Sequence, residues 1–592
     1  MFKAPFLFIL FYFSLTINAQ VSSSYTVSFE NAMHHEATID ATFTNLKSSE
    51  VEFTMSRSSP GRYALHEFVK NVYNVKVTDG SGKELKPRRT NPYSWFVKNN
   101  DGIIKVSYTL YANHGDGTYA QIDESHAHLN APATYIYVPE TQNEAYQITF
   151  NVREDLNWKV ATQLKSLNAY TFYAKDLQYL MDSPVEISNF KKRSFTVENQ
   201  TINFVLHDEK ATDENFDNYF EDVKKIVLQQ KAVFGELPKY DYGNYTFLAC
   251  YMPNVTGDAM EHRNSTFLTS TRSLTNGGKE QNISSVAHEF FHCWNVERIR
   301  PKSLEPFDFL NANMSGELWF AEGFTNYYDE LTMCRSGVNT KEQYLSNLND
   351  TFNRVWTVTG RNYFNPIEMS YQAPFVDAAK SVDEQNKENT YISYYTYGEM
   401  LGLALDLSLR EKQLNLDDFM KIMWNKYGKT NTFYTINDIH MTLSDYAGTD
   451  FGNKFFSNFI YESKMPDYDA IFKNVGIDME INTQLSFGAT LRFQKIISNP
   501  KQGSTAYDAG FQKDDTILKV GDFTLSSLVD FDLALSKYKI GDDILIQYLR
   551  YGEVLEKKVT LKQDIKYQLS FTPNENISPI IKQNKEQWLN SK

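Results

Sequence analysis

The sequence predicts a multidomain α+β protein, with an antiparallel β domain first, a mainly helical domain in the middle and a second strand-rich domain near the C-terminus. Three observations carry this. Apolar residues alternate with polar ones up to about residue 204, the period lengthens to that of a helix between about 208 and 468, and strand-like runs return from about 476 to 563. The chain has 592 residues, enough for three or four domains, and its 38 Tyr and 42 Phe allow well-packed cores without disulfides.

The elements follow in order. Residues 1–19 have the pattern of a secretory signal: Lys3 is the positive region, the run 7–15 is apolar, and Ala19 is a small residue before Gln20. That run is too short to span a bilayer, and no later stretch approaches a membrane helix. The expectation is an exported protein, periplasmic or secreted, with no membrane span once the signal is removed. Residues 20–205 form the sandwich-like β domain. In it, apolar runs such as Ile103-Ile104-Lys105-Val106 are separated by turn signals such as Asp79-Gly80-Ser81-Gly82. Its histidines, His34 and His35 among them, lack ligand-like spacing and read as surface or packed residues.

Residues 206–475 form the helical domain, with helices predicted over 216–234, 285–294, 318–331, 397–410 and 416–427 and a small β portion near 245–268. Residues 476–565 form the third domain, and 566–592, charged and Asn-rich from Asn574 onward, read as a loosely ordered tail. The formal charge of −14 is spread evenly, with no basic stripe, so no nucleic-acid partner is expected. The three cysteines, Cys250, Cys293 and Cys334, are odd in number and have no paired spacing, so they read as small buried residues.

The chemistry lies in Ser285-Val286-Ala287-His288-Glu289-Phe290-Phe291-His292. This is H-E-x-x-H on a helical run: spacing of four puts both imidazoles on one face, a turn apart, where they can share a cation such as Zn²⁺. Glu289 then lies beside the metal, placed to polarise a water. A catalytic zinc takes three protein ligands and keeps an open position. Glu322, in Leu318-Trp319-Phe320-Ala321-Glu322-Gly323, is the candidate third ligand, because a carboxylate among such neighbours is costly to bury unless paired or coordinating.

H-E-x-x-H followed by W-x-x-E-G-x-T resembles the gluzincin metallopeptidases. The longer string from His288 to Pro301 resembles the glycyl aminopeptidase family, whose members join an N-terminal β domain, a thermolysin-like zinc peptidase domain and a C-terminal PDZ domain. Gly257-Asp258-Ala259-Met260-Glu261-His262 is similar to that family's substrate-binding strand. The resemblance implies that Gly257, Met260 and Glu261 contact substrate, with Glu261 holding the free α-amine. Tyr391-Ile392-Ser393-Tyr394-Tyr395-Thr396-Tyr397-Gly398 resembles the family's Y-Y-x-K-G, which implies that Tyr395 stabilises the oxyanion. Here Tyr397 stands where lysine is usual, and Tyr394 and Tyr397 stay open for the role.

The segment 503–522 resembles bacterial PDZ domains, with Asp514 in place of the usual glycine, and Leu485-Ser486-Phe487-Gly488 stands where such domains bind a carboxylate. The function implied is a zinc-dependent aminopeptidase acting on peptides with a free N-terminus and small first residues, Gly or Ala. The PDZ domain is expected to bind a peptide or protein. The alternatives are a thermolysin-like endopeptidase, in which Glu261 lies away from the metal, and a non-catalytic binding protein built on the same domains.

Overall fold

The computed structural model describes residues 21–376, 383–526 and 528–592, so the signal segment 1–19 lies outside the described residues. The N-terminal domain is built on an eight-stranded sheet flanked by two sheets of four strands. Glu36–Phe43 shows why: Ala37, Ile39, Ala41 and Phe43 all face the core, while Thr38 and Asp40 face out. Each large side chain so buried contributes about 2 kcal/mol. All pairs in the large sheet are antiparallel except Val21–Ser28 with Ala145–Asn151, which run parallel.

The second domain opens on a five-stranded sheet in the order Lys191–Val197, Gln200–His207, Asn244–Tyr251, Ser265–Ser270, Asp258–His262. The hairpin 191–207 therefore belongs to this sheet, and a boundary at 205/206 would cut its second strand. Alternation marks a strand but not the sheet it joins, which is why the border reads too late in the sequence. Asp213–Phe234 is a helix with a capping box between Thr212 and Asn215 and a left-handed Gly235 at its end. Phe216, Tyr219, Val223 and Ile226 bury its inner face against the sheet, and Gln230 donates to the Ala287 carbonyl at 2.6 Å, bracing the H-E-x-x-H helix from behind.

That helix spans Lys279–Phe291, starting six residues before the predicted 285 and leaving His292 as its C-cap. The helix predicted over 318–331 is two pieces, Leu318–Ala321 and Gly323–Arg335, meeting at Glu322. Tyr394–Glu411 crosses it at a glycine contact. A Cβ on Gly398 would lie 2.0 Å from the Trp319 carbonyl, and one on Gly323 would lie 2.3 Å from Gly398 Cα. Only two glycines permit this approach, which brings the tyrosine-rich turn to the site.

The third domain holds the strands Thr516–Val520, Asp543–Arg550 and Glu553–Thr560 with the helices Thr505–Ala509 and Leu528–Leu535. Asp514 has φ of 77°, which explains the glycine usual there; it accepts this backbone and pairs with Lys495 at 2.6 Å. The domain is entered and left by two strands, Ile477–Ser486 and Lys562–Phe571, paired antiparallel over their whole length. This ribbon lies on the helix Lys341–Trp356, where Asn353 bonds both the N–H and the carbonyl of Tyr567.

The expected loose tail is instead ordered. Pro579–Leu589 is a helix capped by Ser578, its Trp588 is fully buried, Trp588 Nε1 donates to Tyr327, and Arg335 donates to the Trp588 carbonyl. A single tryptophan with a hydrogen-bonded ring outweighs the polar composition from which disorder was read. No described helix is long and apolar enough to cross a membrane.

The loop between Met55 and Phe68 reaches from the first domain toward the second. In it His66, 4% exposed, is held down to a pKa of about 4 by burial and by Arg62, against its ordinary 6.5. Folding thus favours the neutral ring, whose contribution is complete above pH 6.5 and is lost as pH falls toward 4. Denaturant unfolding across that window should lose up to about 3 kcal/mol, and His66→Phe should flatten that slope.

Candidate active site

The helix Lys279–Phe291 and its cap bring His288 Nε2 and His292 Nε2 to 3.0 Å from each other. Glu322, at the break between its two helices, sets Oε2 at 3.6 Å from His288 Nε2 and 3.3 Å from His292 Nε2. The sequence-predicted ligand set therefore converges, and all three ligand atoms lie within 4.8 Å of one another. Each ring is fixed from behind. His288 Nδ1 donates to Asp329 Oδ2 at 2.8 Å, and His292 Nδ1 donates to the Asn295 carbonyl at 2.6 Å. With both Nδ1 atoms committed as donors, both Nε2 lone pairs face the gap beside a carboxylate, the tautomers a metal requires.

A cation suits this gap electrostatically. Burial pulls the His292 pKa down, but Glu322 and Glu261 outweigh it and push it up to about 9. Burial would raise Glu322, yet His292 and His288 hold it well below the usual carboxylate range. Three buried carboxylates, Glu261, Glu289 and Glu322, surround two imidazoles, and a divalent ion neutralises what the rings alone cannot. The donor set of two imidazoles and one carboxylate is one that catalytic zinc takes.

Glu289 and Glu261 flank His292, the three ligand atoms again within 4.8 Å of one another. Glu289 Oε2 is buried and has no hydrogen-bond partner among the described residues. Burial pushes Glu289 up to about 7, with His288 and His292 opposing and Glu261 and Glu322 adding to the rise. Burial likewise raises Glu261 to about 7. Glu261 stands on the edge strand Asp258–His262, and its neighbour Met260 is buried beneath the 55–68 loop. Gly257 is exposed just before the strand, in a groove shared with Gln281, Asn282 and Ser285, which stand one to two turns before His288 and Glu289 on the same face of their helix.

The three candidate tyrosines separate. Tyr397 is fully buried against Trp356, in the main core and away from the metal ligands. Tyr394 is buried edge-on to Tyr63. Tyr395 is half-buried, with its ring centroid 5.9 Å from that of His288, and faces the site.

Several residues of the site escape a reading of the sequence. Asp329 could have been found, since it lies seven residues after Glu322 and so on the same helix face. Tyr63 could not: it comes from the first domain, and its hydroxyl donates to Glu322 Oε1 at 2.5 Å. Gly61, two residues earlier, has φ of 77°, and a Cβ there would lie 2.8 Å from Glu261 Oε2 and 2.0 Å from Met260 Sδ. The loop is tied down by the Arg62 ion pair to Asp258. Tyr63→Phe, which frees one oxygen of Glu322, should weaken metal binding about 10-fold or more in a chelator competition while leaving the fold intact.

Comparisons with known proteins agree with this arrangement. The model of the peptidase M61 N-terminal domain matches residues 24–189, that of M61 glycyl aminopeptidase matches 281–401, and that of the PDZ domain matches 474–561. No curated protein sequence matches the chain. Among solved structures, an aminopeptidase N family protein from Idiomarina loihiensis is similar over 96% of this chain and 100% of its own, at 23% identity and a TM-score of 0.86, which establishes a shared fold. An M1 zinc metallopeptidase from Deinococcus radiodurans is similar over 76% of this chain and 95% of its own, at 12% identity and a TM-score of 0.45. Leukotriene A4 hydrolase from Saccharomyces cerevisiae is similar over 77% and 70%, at 16% and 0.43. These last two are too distant to bear on the site. The three family matches fall in the order of the three domains described above, so the chain carries an M61 N-terminal domain, an M61 glycyl aminopeptidase domain and a PDZ domain, and it is a zinc metallopeptidase.

Proposed function

We propose that the chain removes small residues, glycine or alanine, from the free N-terminus of peptides, with His288, His292 and Glu322 holding a zinc ion. The observation that carries this reading is the position of Glu261, whose carboxylate shares one buried cluster with Glu289 and His292. An amine paired with Glu261 leaves the first peptide bond over the reacting groups and leaves no room for a preceding residue. An endopeptidase would need that space open. Held by His288, His292 and Glu322, a zinc ion would supply Lewis-acid chemistry, polarising a carbonyl and lowering the pKa of a water toward neutrality.

Glu289 accepts the proton of the attacking water on Oε2 and delivers it to the departing amine. Glu261 pairs with the α-ammonium through a charge-assisted bond in a buried setting. Tyr395 donates its hydroxyl to the developing oxyanion, a contribution of a few kcal/mol. The preference for small first residues is supported by the crowding of Gly61, Met260 and Tyr63 around the anchor.

The test is a panel of aminoacyl anilides, each also N-acetylated, assayed with and without a chelator. Glycyl and alanyl anilides should be cleaved and the bulky ones poorly, with the acetylated forms inert and all activity lost on chelation. Equal cleavage of acetylated and free substrates would overturn the exopeptidase reading. We also propose export, on the pattern of residues 1–19; protein recovered outside the cytoplasm should then begin at Gln20. The groove between Phe487 and Leu491 on one side and Phe531 and Leu535 on the other is the proposed seat of an extended peptide on the PDZ domain.

A further inference from the structure

We propose a second metal site, structural rather than catalytic, in which Cys250 Sγ, His126 Nδ1 and Glu186 Oε1 bind a borderline-soft divalent cation of the zinc type where the first domain meets the peptidase sheet. His126 is on the strand His126–Leu129 and Glu186 on Val185–Ser188, which pair in the first domain; Cys250 is on Asn244–Tyr251 of the second. None of them belongs to the catalytic ligand set.

The distances fit. Cys250 Sγ is 3.4 Å from His126 Nδ1, which is 3.7 Å from Glu186 Oε1, and all three ligand atoms lie within 4.8 Å of one another. Ligand atoms on a tetrahedral zinc, with bonds of about 2.0–2.3 Å, stand roughly 3.3–3.6 Å apart. The three side chains are also among the most deeply buried in the molecule, at 0% exposure for His126, 1% for Glu186 and 0% for Cys250.

Hydrogen bonding points the same way. Glu186 Oε1 makes no hydrogen bond among the described residues, while its other oxygen meets His128 Nδ1 at 3.4 Å. A buried carboxylate oxygen left so is costly unless a cation meets it. His126 Nε2 faces Gln121 Oε1 at 3.3 Å, an acceptor, so this nitrogen donates there and Nδ1 is the ring atom turned toward the thiol and the carboxylate. His207 stacks on His126 with ring centroids 5.1 Å apart, and its buried Nε2 has no hydrogen-bond partner among the described residues, which places a further donor at the edge of the cluster.

Spacing along the chain could not reveal this site. Its ligands come from three strands that only the packing of two domains brings together, and the cysteine reads in isolation as an apolar residue. A metal here would tie the first domain to the peptidase sheet at a point separate from the Arg62–Asp258 and Tyr63–Glu322 contacts of the 55–68 loop.

The test uses the full chain with His288→Ala and His292→Ala, which disables the catalytic ligand set and leaves the cluster untouched. After reconstitution with excess Zn²⁺ or Co²⁺ and desalting, elemental analysis should find one metal per chain, against two in the wild type. The cobalt form should show thiolate-to-metal charge-transfer absorption in the near ultraviolet, which no histidine–carboxylate centre produces, and Cys250→Ser should abolish it. A metal-free double variant, or bound cobalt without the thiolate band, would overturn the proposal. If Cys250→Ser fails to fold, the double variant alone decides the matter.

Discussion

Glu289→Gln should lower kcat on a glycyl or alanyl anilide by roughly 10³- to 10⁴-fold while leaving the metal content unchanged. The amide matches the carboxylate in shape, so the packing of this 5%-exposed side chain survives. What is lost is a base: Oε2 has no hydrogen-bond partner among the described residues, and that lone pair is what accepts the proton. Elemental analysis alongside kcat separates this outcome from loss of zinc. Activity within tenfold of the wild type would remove Glu289 from the reaction.

Glu261→Gln should reduce kcat/KM for substrates with a free amine by about 10²- to 10³-fold, the loss expected when a buried ammonium keeps its hydrogen bond but not its counter-charge. The same variant should narrow the gap between free and acetylated anilides, because the anchor no longer demands a charge. The sign of the pH dependence follows. Glu261 and Glu289, both raised to about 7 by burial before a cation is bound, must be ionised to act, so activity falls on the acid side at or below neutrality. The substrate's α-ammonium loses its proton near pH 8, so affinity falls on the alkaline side as well. In Glu261→Gln the alkaline limb should weaken most. An unchanged profile and unchanged discrimination would mean that the amine is held elsewhere.

Much of this was legible in the sequence, and the residues show why. His288 and His292 are four apart on one helix, so their meeting is local geometry. Glu322 is thirty residues on, and its place followed from the cost of burying a carboxylate among aromatic residues. Asp329, seven residues beyond Glu322, is within reach of the same helical arithmetic. Tyr63 and Gly61 were beyond it, because they come from another domain and nothing in a tyrosine's neighbours says which carboxylate it will meet across 259 residues. The three tyrosines near Gly398 could not be ranked from the chain either; the glycine contact with Gly323 sets the helix rotation, and that rotation turns Tyr397 inward and Tyr395 toward His288. The C-terminal segment misled for a compositional reason, since one buried Trp588 decides the fate of a stretch whose average is polar.

The paired strands that bracket the PDZ domain, and the helix after them that plugs Trp588 into the peptidase core, have a mechanical consequence. A module hung from one linker explores a sphere, and what it captures meets its neighbour at a rate set by tether length. This one is clamped at entry and exit, with Lys592 closing on Asp417 behind it. Its groove therefore keeps a constant bearing on the peptidase domain, and a peptide seated there would be presented in one orientation instead of many.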